Sequence, residues 1–203
     1  MLTRHTLGRL AYALIAAASL ACIAPASATE PADEPVILVA KPALLPDRLY
    51  GATILIAMPV GNDQHIGFIV NKPTPLTLGS LFPDHEPSQK VTEPVYLGGP
   101  VNTRTISALV RHGDSLGRSA MQITPDLYLV MGREAVDRII EGGADHARFF
   151  AGLVVWAPGE LRTEIERGFW FMHKADSSLV LRKSTEGMWE ELLRQLELKA
   201  MFI

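Results

Sequence analysis

Cysteine is almost missing from this chain: Cys22 is the sole example, and it lies in an N-terminal segment that reads as a secretory signal. Arg4 and Arg9 form a basic start, Leu10 to Ile23 an apolar middle, and Ala26-Ser27-Ala28 a small-residue cleavage site. The apolar run is short and alanine-rich for a membrane span. Residues 1–28 are therefore expected to be removed before Thr29, giving an exported, periplasmic protein. A lipid anchor on Cys22 is the competing reading, but Ser19 stands where a lipobox carries leucine. An uncleaved anchor is the other; an uncleaved cytoplasmic chain would follow if the signal reading failed. With Cys22 gone, disulfides, thiol nucleophiles and thiolate metal ligands are excluded.

The chain also lacks a basic block. The signal holds two arginines and no acids, so the mature formal charge is (19 − 2) − 22 = −5. An acidic domain offers little to a phosphate backbone, which makes nucleic acid an improbable partner. Metal-ligand spacing is missing as well. Asp63 with His65, Asp84-His85-Glu86 and Asp145-His146 pair acids with imidazoles, but none has the i, i+4 spacing of a helical zinc motif. His112 and His173 complete the mature histidines, all read as surface or turn residues. No metal or cofactor is expected. His112-Gly113-Asp114-Ser115 contains triad residue types, but neighbours in one tight turn cannot converge on a single site.

What is present is one domain's worth of short apolar runs. Residues 29–35 (TEPADEP) read as an acidic linker, and residues 36–203 as a single domain. Strands are expected at Ile37 to Ala40, Ala52 to Met58, Ile66 to Val70, Val95 to Leu97, Ile106 to Val110, Leu127 to Met131 and Phe149 to Trp156. The second and third form a hairpin through Gly61-Asn62-Asp63. Thr77 caps a short helix, Pro83 to Pro94 is a surface loop, and Arg111 to Arg118 a turn. Glu134 to Glu141 is an amphipathic helix closed by Gly142-Gly143, and Glu160 to Arg167 a second helix. Phe169 to Met172 and Leu179 to Leu181 read as a last strand pair, before a helix carrying Met188, Trp189, Leu192, Leu193 and Leu196. Runs of strands broken by a few helices argue an α+β fold with a mixed sheet.

Two strand ends attract attention, because His65 to Pro75 (HIGFIVNKPTP) stops on Asn71-Lys72-Pro73 and Val95 to Val101 (VYLGGPV) on Gly98-Gly99-Pro100. Asn71, Lys72, Pro73, Gly98, Gly99 and Glu160 are the candidate ligand-binding residues. Gly98-Gly99-Pro100 makes a poor phosphate loop, since Pro100 removes a donor and a strand follows. Ala157-Pro158-Gly159 does lead into a helix, yet Glu160, Glu164 and Glu166 place negative charge there. Lys72 reads either as an anion-binding or catalytic group or as a lysine lying over apolar surface. Trp156, Trp170 and Trp189 read as core. No catalytic residue is assigned.

The ordered fragments IAMP (Ile56–Pro59), GFIVNKP (Gly67–Pro73), LTLGSL (Leu76–Leu81), VYLGGPV (Val95–Val101) and WAPGEL (Trp156–Leu161) resemble the YqgE/AlgH family, also called UPF0301 or DUF179. The resemblance implies one compact α+β domain with a curved, partly barrel-like sheet flanked by helices. It carries no established catalytic residues, and some members bear the label of putative transcriptional regulator. This chain differs in its signal peptide, and in having Ile54, Ile56, Ala57 and Met58 where members often carry a cysteine. Three functions follow as expectations: an exported, non-enzymatic domain binding a protein or small molecule through the loops after Val70 and Leu97, a transcriptional regulator, or an enzyme using Lys72, Asn71 and Glu160.

Overall fold

The computed structural model describes residues 33–112, 116 and 119–201. Residues 1–28, read above as a secretory signal, the start of the acidic linker and most of the Arg111 to Arg118 turn lie outside them. In chain order the elements are β1 (Val36–Ala40), β2 (Ile54–Gly61), β3 (Gln64–Ile69), β4 (Pro73–Thr77), α1 (Leu78–Leu81), α2 (Glu86–Gln89), β5 (Pro94–Leu97), β6 (Val101–Arg111), β7 (Ala120–Thr124), β8 (Leu127–Val130), α3 (Arg133–Gly143), β9 (Ala147–Trp156), α4 (Glu160–Glu166), β10 (Trp170–Lys174), α5 (Ser177–Val180) and α6 (Met188–Met201). The α+β expectation holds, with a curled, half-barrel sheet and a few helices.

The sheet runs β10-β1-β2-β3-β9-β6-β8-β7, with neighbouring strands antiparallel. β5 joins β9 in parallel and carries β4 on its other side, which makes the sheet mixed. Continuous apolar runs become strands buried on both faces. In β1, Ile37 and Val39 enter one core with Ile54, Ile56, Phe68 and Phe150, while Leu38 and Ala40 enter another with Leu55, Ile69, Trp156 and Trp170. α6 closes the first core through Trp189, whose indole donates to the Ala40 carbonyl at 2.8 Å. A third core packs α3 residues Val136 and Ile140 against Ala108, Val130 and Phe149.

Several expectations need correction. Pro59 does not stop the second strand. It lies two residues past Ala57, the last β2 residue paired with β1, where a missing N–H can point to an open side. Pro73 begins β4 rather than ending the chain's extended path. The polar loop after Pro83 contains α2, and β7 extends the sheet beyond β8. Gly142 and Gly143 are inside α3, whose cap is Ala144. Leu179 to Leu181 form no strand, because Asp176 caps α5 by accepting from the Ser178 N–H at 2.8 Å. β10 instead pairs with β1. His65 is no surface residue: it is buried in β3 opposite Trp156.

The tightest packing is at Gly98 and Gly99. A Cβ on Gly98 would stand 2.2 Å from the Gly152 carbonyl oxygen, and one on Gly99 2.2 Å from the Leu153 carbonyl carbon. By contrast, nothing lies within 4 Å of a Cβ on Gly142. Gly99→Ala should therefore lower unfolding free energy by about 1–3 kcal/mol or abolish folding. Gly142→Ala, in a helix interior, should raise it by about 0.5–1 kcal/mol. Urea denaturation of the two variants checks both signs.

Candidate functional site

Asn71 lies just beyond the end of β3, after Val70, and its side chain ties that strand end to the start of β2. The Oδ1 accepts from the Ile54 N–H at 2.8 Å, and the Nδ2 donates to the Ala52 carbonyl at 2.9 Å. Ala52 has φ 54, a left-handed conformation costly for alanine, and Asn71 helps hold it there. Lys72 reaches the turn before β2, its ammonium donating to the Leu49 carbonyl at 2.5 Å and the Arg48 carbonyl at 3.4 Å. Asp47 organises the same turn by accepting from the Leu49 and Tyr50 N–H groups at 2.8 and 2.7 Å. Burial pushes the Lys72 ammonium below the ordinary lysine range, and the nearby Asp47 carboxylate opposes that shift. Pro73 lies opposite Tyr96 in the β4–β5 ladder.

Gly98 and Gly99 meet protein rather than an open cradle. The Gly98 carbonyl accepts from the Ile69 N–H and its own N–H donates to Ala151, both at 2.9 Å. Glu160 closes the first turn of its own helix, accepting from the Ala157 N–H at 2.8 Å. One turn on, Glu164 Oε2 accepts from two indoles, Trp156 at 3.0 Å and Trp170 at 2.8 Å. Tyr50 stands edge-on to Trp170 with ring centroids 6.1 Å apart. Its phenol is pushed above the ordinary range by burial and then by Glu164, Asp47 and Glu160. Lys72 and Glu160, remote in sequence, thus act on the same neighbourhood around Asp47 and Tyr50. Gly98 and Gly99 belong to the β9 crossing beside it.

Two groupings escape motif reasoning. Arg148, the second residue of β9, is 5% exposed. Its Nη1 donates to the Val70 and Val180 carbonyls at 2.9 and 2.7 Å, and its Nη2 to the Arg182 carbonyl. The guanidinium lies over the Tyr96 ring at 4.2 Å. The available signal was an arginine at the head of an apolar run, sharing a face with Phe150. The second grouping joins β6, the turn before β8 and α5. Ser177 donates to Asp126 Oδ2 at 2.5 Å, and Arg111 donates to the Ser177 hydroxyl at 3.1 Å. The Ser177 bond most of all, then one from the Thr124 hydroxyl and the Arg111 charge, hold the Asp126 carboxyl below its ordinary range.

Gly113-Asp114-Ser115-Leu116-Gly117 matches the letters of a G-x-S-x-G nucleophile elbow. That motif needs a strand-to-helix turn, whereas this stretch joins strands β6 and β7. Residues 113–115 and 117 lie outside the described residues. Among the described residues, no three His, Asp or Glu side chains are grouped to hold a metal ion. Nor is any described helix long and apolar enough to cross a membrane.

Asn71→Leu should destabilise the fold, since each buried backbone group left unpaired costs about 1–3 kcal/mol; chemical denaturation checks it. For Asp126 the folded pKa lies below the unfolded one. Its stabilisation is therefore present above the unfolded value and fades as pH falls through the folded one. The stability difference between wild type and Asp126→Asn should shrink below about pH 4, as urea midpoints across an acid series would measure.

Comparison with known proteins agrees with this architecture. A UPF0301 protein of Chlorobaculum tepidum is 30% identical over 161 residues, covering 78% of this chain and 83% of the relative. One from Saccharophagus degradans is 33% identical over 164 residues, covering 78% and 79%. The solution structure of the AlgH protein from Pseudomonas aeruginosa superposes with a TM-score of 0.67 at 21% identity, over 86% of this chain and 93% of that one. The crystal structure of a Corynebacterium diphtheriae protein gives 0.67 at 24% identity, over 82% and 87%. At these identities the two structures bear on the fold alone. The model of the AlgH-like family DUF179 matches residues 37–201, and this chain belongs to that family.

Proposed function

We propose that this protein is an exported, periplasmic, non-enzymatic binding domain. Its partner, a protein or small molecule, engages the face around Asn71, Lys72 and Pro73, beside Gly98 and Gly99, with Glu160 at the margin. The observation that carries the reading is the bonding of Lys72. Its ammonium is held by two backbone carbonyls, which fixes a cation in place and supplies no base to deprotonate it. Asn71 and Glu160 are likewise committed to backbone N–H groups, so the face is organised for shape and charge rather than for proton transfer. The turn that Lys72 holds presents Leu45, half-exposed, as an apolar contact point. Export rests on the charge and hydropathy pattern of residues 1–28.

The test combines fractionation, intact mass and site-specific photo-crosslinking. A photoreactive residue at Leu45 should capture a discrete partner in the periplasm from a protein starting at Thr29. The same residue at Leu198 on α6 should not. An uncleaved cytoplasmic species would overturn export and return the regulator reading to the front. Equal capture from both positions would remove this face as the binding site.

A further inference from the structure

We propose that the cavity floored by Arg148 binds a small oxyanion, a carboxylate or a phosphate. The inference rests on the reading of this domain as a binding module and gives that module a ligand class. The cavity has a volume of about 280 Å³, which suits a small ligand. It opens beside the same two strand ends: Arg148 donates to the carbonyl of Val70, and Tyr96 precedes Leu97.

The argument begins with an imbalance of charge. Arg148 is buried, and a buried guanidinium whose carboxylate influence is the exposed Glu93, acting from beyond ion-pair distance, is costly. Among the described residues, no carboxylate lies within ion-pair distance of it. Three carbonyls and the Tyr96 ring orient the group without neutralising it. Those carbonyls occupy three of five N–H donors, leaving the Nε–H and one Nη2–H on a group that lines the cavity. Two donors on a planar, immobilised guanidinium match the two oxygens of a carboxylate or phosphate.

The rim sets selectivity rather than sign. Arg111 and Lys183 stand against Glu93 and Asp145, with His146 among them, and all five are exposed. Arg111 is already engaged by Asp126 at 3.5 Å, whereas Lys183 has no carboxylate within ion-pair distance among the described residues. Lys183 is therefore the rim cation able to turn toward a ligand. Glu93 is the rim charge that opposes one. Tyr96 and Ala147 line the cavity with these residues, and its volume of about 280 Å³ limits the size of ligand it can enclose. The pre-existing bonds mean that Arg148 loses little freedom when a ligand arrives.

The test is an NMR titration of the 15N-labelled full chain with sodium phosphate, and separately with sodium succinate, against sodium chloride at constant ionic strength. Saturable shifts are expected at the Arg148 Nε–H and at the Ala147 and Lys183 amides. Lys183→Glu should weaken binding by about tenfold, and Glu93→Gln should strengthen it. Both positions are exposed, so unliganded spectra should keep the wild-type fold, which Arg148→Met would put at risk. Preference for phosphate identifies a phosphoryl ligand, and preference for succinate a carboxylate one. No saturable shift with either anion overturns the proposal. Saturable shifts confined to other residues overturn this cavity but leave a binding role standing. A positive titration beside a failed periplasmic crosslink would sink export and the Lys72 face while keeping the cavity.

Discussion

The close approach of two backbones organises this molecule. Gly98 and Gly99 pass against Gly152 and Leu153 of β9 at distances where a Cβ on Gly98, Gly99 or Gly152 would collide with the opposing backbone. Gly152 has φ 75, and β6 loses register opposite it between Val101 and Ile106. One half of β9 can therefore pair with β6 and β5, while the other half turns to pair with β3. Gly98 links β9 to β3 through its bonds to Ala151 and Ile69. Without that crossing, the segment after β5 would have nowhere to pass, and the sheet would not curl into a half-barrel. The two glycines are structural in a strong sense: they bring the ends of β3 and β5 together.

Once those ends meet, two cations fix what surrounds them, in different ways. Lys72 is half-buried and reaches a surface turn, so water shares the cost of its charge. Arg148 is almost entirely withdrawn from water and places three of its five donors on carbonyls from the end of β3, from α5 and from the following segment. A planar donor set reaching three separate elements specifies their arrangement more narrowly than apolar contact alone would. Carbonyl dipoles lower the cost of the buried charge, but they do not cancel it. That residual cost is a physical reason for the cavity above Arg148 to favour an anion.

How far this was legible in the sequence follows from which forces act locally. β1, β2, β3 and β9 were visible because they are buried on both faces and carry unbroken apolar runs. The Thr77 cap was visible because its partner, the Ser80 N–H, is three residues away. Pro73 misled because proline reads as a stop, whereas the first position of a strand needs no ladder N–H from it. Leu179 to Leu181 misled because apolar residues outweighed the short-range cap from Asp176. Of the site residues, Asn71 and Lys72 stood out by their place at a strand end, and both do hold that end in place. Arg148 could not be identified, since its three acceptors are 78, 32 and 34 residues away. A sequence shows that an arginine interrupts an apolar run, but not which carbonyls will receive it.

Net charge and local charge point in opposite directions here, and distance decides between them. The whole chain carries −3, and −5 without residues 1–28, so long-range steering of an anion is unfavourable. At physiological ionic strength that field is screened over about 8 Å, and an anion at the mouth of the cavity responds mainly to its immediate neighbours. There a guanidinium in a partly dehydrated wall interacts more strongly per charge than exposed carboxylates do through water. Such a site would be slow to fill compared with an electrostatically steered one, and selective for ligands small enough to reach the floor. A polyanion such as nucleic acid meets the opposite balance, because its many phosphates would face the acidic surface while at most one reached Arg148. The same charge distribution that opposes a nucleic-acid partner therefore permits a small oxyanion.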